Sequence, residues 1–174
     1  VAYNVSVKHF LQTDCTHFIT IEDDNVPQTN ILDLLELDKD ILGCPYPVIT
    51  HGSLYLTAME VKKKEGMWEA APVKLPKDGG LCQVDAVFLG CTIIARRVME
   101  RIPWPFRTQY FPDGTVHLGY DYNFCRRAKE AGFEVWTHFG HIVDHLKGGV
   151  SLLKVWKTFN AVLNDSRKTP LGLP

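Results

Sequence analysis

No apolar run in this chain approaches the roughly 18 residues that a membrane-spanning helix needs, and no charged-then-apolar leader opens it. The expectation is a protein without a transmembrane segment, cytoplasmic, with peripheral attachment to a membrane left open. An excess of charge of either sign is also missing. The formal net charge is -1, with acidic and basic residues mixed throughout, so no broad cationic face is available to follow a phosphate backbone and nucleic acid is not an expected partner. The five cysteines, Cys15, Cys44, Cys82, Cys91 and Cys125, include no C-x-x-C pair of the kind found in zinc ribbons or redox motifs. Reduced, mostly buried thiols are expected. An initiating methionine is absent too, and the start at Val1 reads as a fragment or a processed chain.

What is present is the balance of a globular domain: 174 residues, 45% hydrophobic and 22% charged. One domain is expected over residues 1–165, with 166–174 as a loose tail. An opening helix would bury Val5, Phe10 and Leu11. His17 to Ile21 is short, apolar and β-branched, the composition of a buried strand, and it runs into the acids Glu22-Asp23-Asp24. Thr29 or Asn30 caps a helix carrying Ile31, Leu34, Leu35 and Leu37, and Asp40 to Cys44 starts a second buried strand. Further on, Leu54–Val61 reads as a strand, Lys62–Glu65 and Lys77–Gly80 as turns, and Cys82–Leu89 as a strand broken at Gly90. Thr92 to Ile102 reads as a strand passing into a short helix, Asp121–Ala131 as a helix stopped by Gly132, and Glu134–Trp136 as a strand. Ser151–Leu163 reads as a last amphipathic helix. Alternating strands and helices indicate an α/β sheet.

Three consecutive carboxylates at a strand end repel one another unless a cation or a proton offsets the charge. A hard divalent cation, Mg²⁺ or Mn²⁺, takes oxygen ligands and keeps positions open for phosphates, so Asp24, with Glu22 or Asp23, is a candidate for holding a metal and a diphosphate. In strand geometry Glu22 and Asp24 point one way and Asp23 the other. The plainer alternative is a polar loop capping the next helix. A calcium EF-hand is excluded, because no Gly stands at the turn position and no Glu closes the loop. Of His138, His141 and His145, any could complete the metal site. His145 gains weight from lying between a strand and Gly148-Gly149. Asp121 follows Gly119 at a helix start, where it is either an N-cap or, beside a bound donor, a general base for an attacking hydroxyl.

Together these segments resemble the nucleotide-diphospho-sugar glycosyltransferases of the GT-A fold, in particular the family-two-like enzymes of bacteria, phages and viruses. Phe18-Ile19-Thr20-Ile21-Glu22-Asp23-Asp24-Asn25-Val26-Pro27 is similar to that family's apolar strand and Asp-x-Asp metal motif, with Glu22 as the first acid. The segment Val84 to Arg97 resembles one that carries an acid near the donor sugar and a glycine beside the acceptor, which suggests Asp85 and Gly90 as substrate contacts. Pro103-Trp104-Pro105-Phe106, followed by Gly119-Tyr120-Asp121, resembles the aromatic acceptor loop and the base-bearing helix, where Tyr120 stands in place of the usual Glu. Val143-Asp144-His145 matches a histidine that completes metal or diphosphate binding in such enzymes.

The resemblance implies a GT-A-like, Rossmann-like α/β domain: a mixed, mostly parallel central sheet flanked by helices, here lacking its first strand. It implies a hexosyltransferase-like enzyme that moves a sugar from a nucleotide-diphosphate donor to a carbohydrate or other hydroxyl acceptor, with inversion. Mn²⁺ or Mg²⁺ would sit on Asp24, Glu22 or Asp23, and His145, with Asp121 as base. Asp85, Gly90, Trp104, Tyr110 and Tyr120 would contact substrates, the aromatic rings by stacking on sugar faces. Three other readings compete: a sugar-nucleotide nucleotidyltransferase, against which no Gly-rich, Arg/Lys-bearing phosphate loop is found; a non-catalytic nucleotide-sugar-binding domain; and a zinc hydrolase built on the histidines.

Overall fold

The computed structural model describes residues 2–50, 52–64 and 67–168. Helix α1 (Ala2–Phe10) buries Val7 and Phe10, which are three residues apart and so share a face; Val5 lies on the exposed side. Strands β1 (His17–Ile21) and β2 (Asn25–Val26) follow, then a 3₁₀ helix over Ile31–Leu37 and strand β3 (Ile41–Gly43). Asn30 is the N-cap of that short helix, its side chain accepting from the Leu32 amide, and Asp38 ends it in the left-handed region at φ 43°. Six strands run through the middle of the chain: β4 (Pro47–Thr50), β5 (Ser53–Leu56), β6 (Ala58–Lys64), β7 (Met67–Pro72), β8 (Leu81–Gln83) and β9 (Ala86–Val87). Strand β10 (Cys91–Ala95) passes directly into α2 (Arg96–Arg101), as its composition predicts. After β11 (Gln109–Tyr110) and β12 (Val116–Leu118) come α3 (Tyr120–Glu130), β13 (Val135–His138), β14 (Asp144–Lys147), β15 (Val150–Ser151) and α4 (Leu152–Lys168).

The main sheet has the order β1-β10-β3-β13-β8. Only β3–β13 is a parallel pairing; β1–β10, β10–β3 and β13–β8 are antiparallel. The other strands form separate sheets of two or three, and their pairings are antiparallel. The expected mostly parallel central sheet flanked by helices is therefore corrected to a mixed α/β fold of several small, mainly antiparallel sheets. The reason lies in the connections. A parallel neighbour needs a long crossover, usually a helix, whereas the chain between β3 and β9 travels through hairpins. The long strand expected over Leu54–Val61 is divided between β5 and β6, and Lys62 to Lys64, expected in a turn, lie in β6. Glu65 of that expected turn lies outside the described residues. So does the part of the expected loose tail beyond Lys168.

The mostly parallel sheet was what the family resemblance implied, and parallel sheets are covered on both faces. This sheet is covered on both faces without being parallel. Ile41, Ile94 and Ala95 pack with Phe10, Val98, Phe124 and Ala128 on one side; Leu42, Cys91 and Ile93 pack with Ile31, Leu34, Tyr46 and Val143 on the other. Cys91 and Ile93 enter one core and Ile94 the other, as the period of two in a strand requires; Ala95, the last residue before α2, packs into the same core as Ile94. All five cysteines are free thiols, and Cys44, Cys91 and Cys125 are buried. Among the described residues no helix is long and apolar enough to cross a membrane.

Two polar side chains tie loops to this frame. Arg96 donates to the carbonyls of Leu11, Thr13 and Cys15, groups left unsatisfied past the end of α1. Asp144 is 9% exposed and accepts from the amides of His145 and Leu153 and from the Ser151 hydroxyl, which joins β14 to the first turn of α4. Burial works to raise the Asp144 pKa, but these bonds prevail and hold it below the usual carboxylate value. Its stabilisation is thus present at neutral pH and lost as the solution is acidified through the carboxylate range. Asp144→Ala is expected to lower stability by about 1–3 kcal/mol in urea denaturation at neutral pH, with the difference shrinking toward pH 3.

Candidate active site at the end of the first strand

The acidic run does not continue the strand. Strand β1 stops at Ile21, the Glu22 amide donates to the Gly90 carbonyl (2.9 Å), and the Asn25 amide returns to the Glu22 carbonyl (3.0 Å), closing a turn. Strand alternation therefore no longer governs the three acids, and they take different surroundings. Asp23 is exposed. Glu22 accepts from the Tyr3 hydroxyl of α1 at 3.2 Å. Asp24 turns to β14, where Lys147 Nζ lies 2.5 Å and His145 Nε2 3.5 Å from its Oδ2.

Strand β14 reaches this position by pairing with β2, His145 opposite Asn25, and by the Leu146 amide donating to the Asp24 carbonyl at 2.8 Å. His145 and Lys147 are two apart and so face the same way. Gly148 and Gly149, both at positive φ, make the tight turn that returns the chain to β15. His145 is buried with its ring edge-on to Tyr46, and its Nδ1 donates to the Pro47 carbonyl at 2.8 Å. A carbonyl only accepts, so Nδ1 carries the proton and Nε2 is the atom presented to Asp24. Anchoring one ring nitrogen on a carbonyl while the other faces a carboxylate is the arrangement of a metal-ligating histidine.

The fit to Mn²⁺ or Mg²⁺ is partial. Asp24 and His145 come together, with 3.5 Å between Oδ2 and Nε2, but Glu22 and Asp23 do not join them. Among the described residues no group of three His, Cys, Asp or Glu side chains comes together. Lys147 already neutralises Asp24; its hydrogen bond is the largest influence holding that carboxyl below the usual range, against burial and with His145 adding to it. A divalent cation at Asp24 must displace the ammonium and draw its remaining ligands from phosphate and water. His138 and His141 contact each other, with His141 hydrogen-bonded to Thr29, and do not meet His145 in a metal cluster.

Asp121 lies in the first turn of α3, whose N-cap is Gly119, so it is not the cap residue. Burial, and then the charge of Glu22, push its carboxyl up to about 7; the Leu89 amide pulls the other way. Tyr46 is buried beside the same charges and its hydroxyl pKa is raised by burial, Glu22 and Asp121. Burial and the two acids also raise Tyr120, to about 12. The site is thus a carboxylate pair, Glu22 and Asp121, set among tyrosines, next to a second cluster of Asp24, His145 and Lys147.

A groove of 560 Å³ opens beside the pair, lined among others by Tyr3, Trp104, Phe106, Arg107, Tyr110 and Tyr120. It brings together Trp104, Tyr110 and Tyr120, the aromatic residues expected at the substrate. Asp85 is elsewhere: it accepts from the Val61 amide, pairs with Lys129, and lines a separate 230 Å³ pocket with Trp68 and Tyr122. Gly90 serves packing. A Cβ there would lie 2.5 Å from the Tyr46 ring. Sequence reasoning missed Tyr3, Tyr46 and Lys147. Lys147, two residues after His145 and on its strand face, is the one that spacing could have found.

No family model matches the chain, and no curated protein matches it. Among solved structures it is similar to the crystal structure of A197 from STIV, with a TM-score of 0.54 and 15% identity over 84% of this chain. The match spans 66% of that protein's length, and at this identity the likeness concerns the fold alone.

Two outcomes follow. Gly90→Ala should destabilise the protein by about 1–3 kcal/mol in urea denaturation, since the Tyr46 ring or the backbone must shift. For Asp121 the folded pKa is raised from 3.8 to about 7, so the native state holds the proton more tightly than the unfolded chain. The associated stability is full below about pH 4 and is lost as pH rises through about 7. Asp121→Asn, which stays neutral, should therefore exceed the wild type at pH 8 by on the order of 1–4 kcal/mol, with the gap closing toward pH 4.

Proposed function

We propose that this chain is a glycosyltransferase that moves a sugar from a nucleotide-diphosphate donor to an acceptor hydroxyl with inversion, a reading that goes with a cytoplasmic location. The observation that carries it is the half-buried Asp121, whose pKa of about 7 leaves it able to take a proton at neutral pH, adjoining the open aromatic groove through Tyr120 and on the same side of the sheet end as the Asp24–His145 pair. A base works best when its pKa is near the working pH. In this reading the acceptor ring lies in the groove against Trp104, Tyr110 and Tyr120. Asp121 removes the proton of its hydroxyl as the oxygen attacks the anomeric carbon, and the diphosphate leaves from the opposite face. A single displacement of this kind inverts the centre. Tyr3 holds Glu22 in place, and the Glu22 charge keeps Asp121 basic. Lys147 supplies a positive charge at the end of β1, where the departing diphosphate needs it. Asp24 and His145 are the residues that would hold Mn²⁺ or Mg²⁺, which when bound supplies charge neutralisation for the diphosphate.

One observation favours a second reading, a nucleotide-sugar-binding domain without turnover: Lys147 already satisfies Asp24 without a metal. Calorimetric titration of UDP and GDP with and without Mn²⁺, repeated on Asp24→Ala, separates the two. The enzyme reading expects metal-dependent binding that the substitution removes. Where a donor supports transfer, Asp121→Asn should reduce kcat about 10²–10⁴-fold, and kcat/KM should rise with pH to a plateau about an apparent pKa near 7. Diphosphate binding that is indifferent to metal and accompanied by no transfer from any sugar nucleotide supports the binding domain. Absence of binding to either diphosphate refutes both.

A further inference from the structure

The loop entering the groove carries backbone strain that nothing in its own sequence relieves. Trp104 lies at φ 48°, in the left-handed region where a bulky residue is an outlier, between Pro103 and Pro105. Its indole is not buried to compensate: the residue is 71% exposed. The loop is nonetheless held from two helices. Arg127 of α3 donates to the carbonyls of Pro103 (2.8 Å), Trp104 (2.8 Å) and Pro105 (3.3 Å). Asn4 of α1 exchanges two hydrogen bonds with the backbone of Phe106, and Asn123 of α3 donates to the Arg107 carbonyl. A guanidinium fork is suited to this because its donors are planar and its geometry is set in advance.

A large apolar ring forced into solvent on a strained, tightly pinned turn has no stabilising purpose. It is suited to meeting a partner without losing further loop entropy. The surroundings specify the partner's chemistry. Trp104, Tyr110 and Tyr120 line the groove together with Arg107 and Thr108. Aromatic rings together with hydrogen-bonding side chains suit a pyranose, which has a C–H face and a hydroxyl edge. The groove is open and mixed in character, unlike an enclosed apolar slot for a lipid chain.

We infer that Arg127 is a positioning residue that holds Trp104 as a rigid stacking platform, and that the groove it serves binds a pyranose ring of a carbohydrate. The inference rests on the acceptor role proposed for this groove. The test follows the Trp104 indole N–H resonance, assigned with Trp104→Phe, while maltotriose, cellotriose, chitotriose and mannotriose are added separately. At least one trisaccharide should shift it saturably. Arg127→Ala should weaken that binding about tenfold, Arg127→Lys should recover part of it because an ammonium still reaches a carbonyl, and UDP–Mn²⁺ binding should be unchanged in both. Trp104→Ala, a change at an exposed side chain, should abolish trisaccharide binding measured by calorimetry without loss of fold, and Arg127→Lys decides the matter should the Arg127→Ala variant not fold. A resonance that none of the four sugars moves, or affinities equal in wild type and Arg127 variants, overturns the inference. The two readings fail separately: sugar transfer with a silent Trp104 refutes the platform alone, whereas trisaccharide binding without diphosphate binding refutes the transferase alone.

Discussion

Strand β10 has no side that faces water, and most of the structure is arranged around that constraint. Cys91, Thr92, Ile93, Ile94 and Ala95 are all buried, with Cys91 and Ile93 in one core, Ile94 and Ala95 in the other, and hydrogen-bonded neighbours on both edges. A strand so enclosed cannot slip by one residue without exchanging the contents of both cores. Its register therefore determines where its first turn lies, and that turn is Gly90. The Glu22 amide is held by the Gly90 carbonyl and the Cys44 amide by that of Cys91, so the exits of β1 and β3 are set by β10. Tyr46 then packs against the bare Gly90 backbone and presents its ring to His145. The candidate site inherits its geometry from a strand that contributes none of its charged groups.

The acidic run Glu22-Asp23-Asp24 shows how a turn can separate like charges that a strand would align. The three carboxylates meet three solutions: solvent for Asp23, an ammonium and an imidazole for Asp24, and a tyrosine hydroxyl for Glu22. Glu22 has the weakest compensation of the two inward acids, and its uncancelled charge is felt by Asp121. This division makes two chemically distinct clusters from one motif. One holds an ammonium paired with a carboxylate beside an imidazole; the other is a carboxylate pair suited to holding or moving a proton.

Much of this was legible in the sequence, and the limit is physical. The strand before the acids, the strand-to-helix passage at Ala95–Arg96 and the helix bearing Asp121 are local features, determined by composition and periodicity over a few residues. His145 and Asp24, far apart in the chain, were both identified by what surrounds each of them. Pairing direction was not legible. A strand covered on both faces looks the same whether its neighbours run parallel or antiparallel, so nothing in the residues stood against the mostly parallel sheet that the family resemblance implied. Tyr3 and Tyr46 escaped for a related reason: each is an ordinary aromatic residue until the topology brings it to Glu22 or His145. Gly90 was noticed, but a glycine required by an approaching ring and a glycine required by a ligand leave the same trace in a sequence.

Two features in and next to the groove run against stability. Asp121 is a carboxylate taken out of water beside another negative charge, and Trp104 is an exposed indole on a left-handed backbone. Each could be relieved by a single conservative change, an amide for the acid or a glycine for the tryptophan. A scaffold with no site to maintain has no reason to hold either, and still less to devote Arg127, Asn4 and Asn123 to fixing the strained turn. Local departures from good folding chemistry are expected where function demands them. Trp104 lines the groove itself, and Tyr3 and Tyr120 on its wall connect it to the acids, Tyr3 by its hydrogen bond to Glu22 and Tyr120 as the chain neighbour of Asp121; under the proposed function one ligand would use both features.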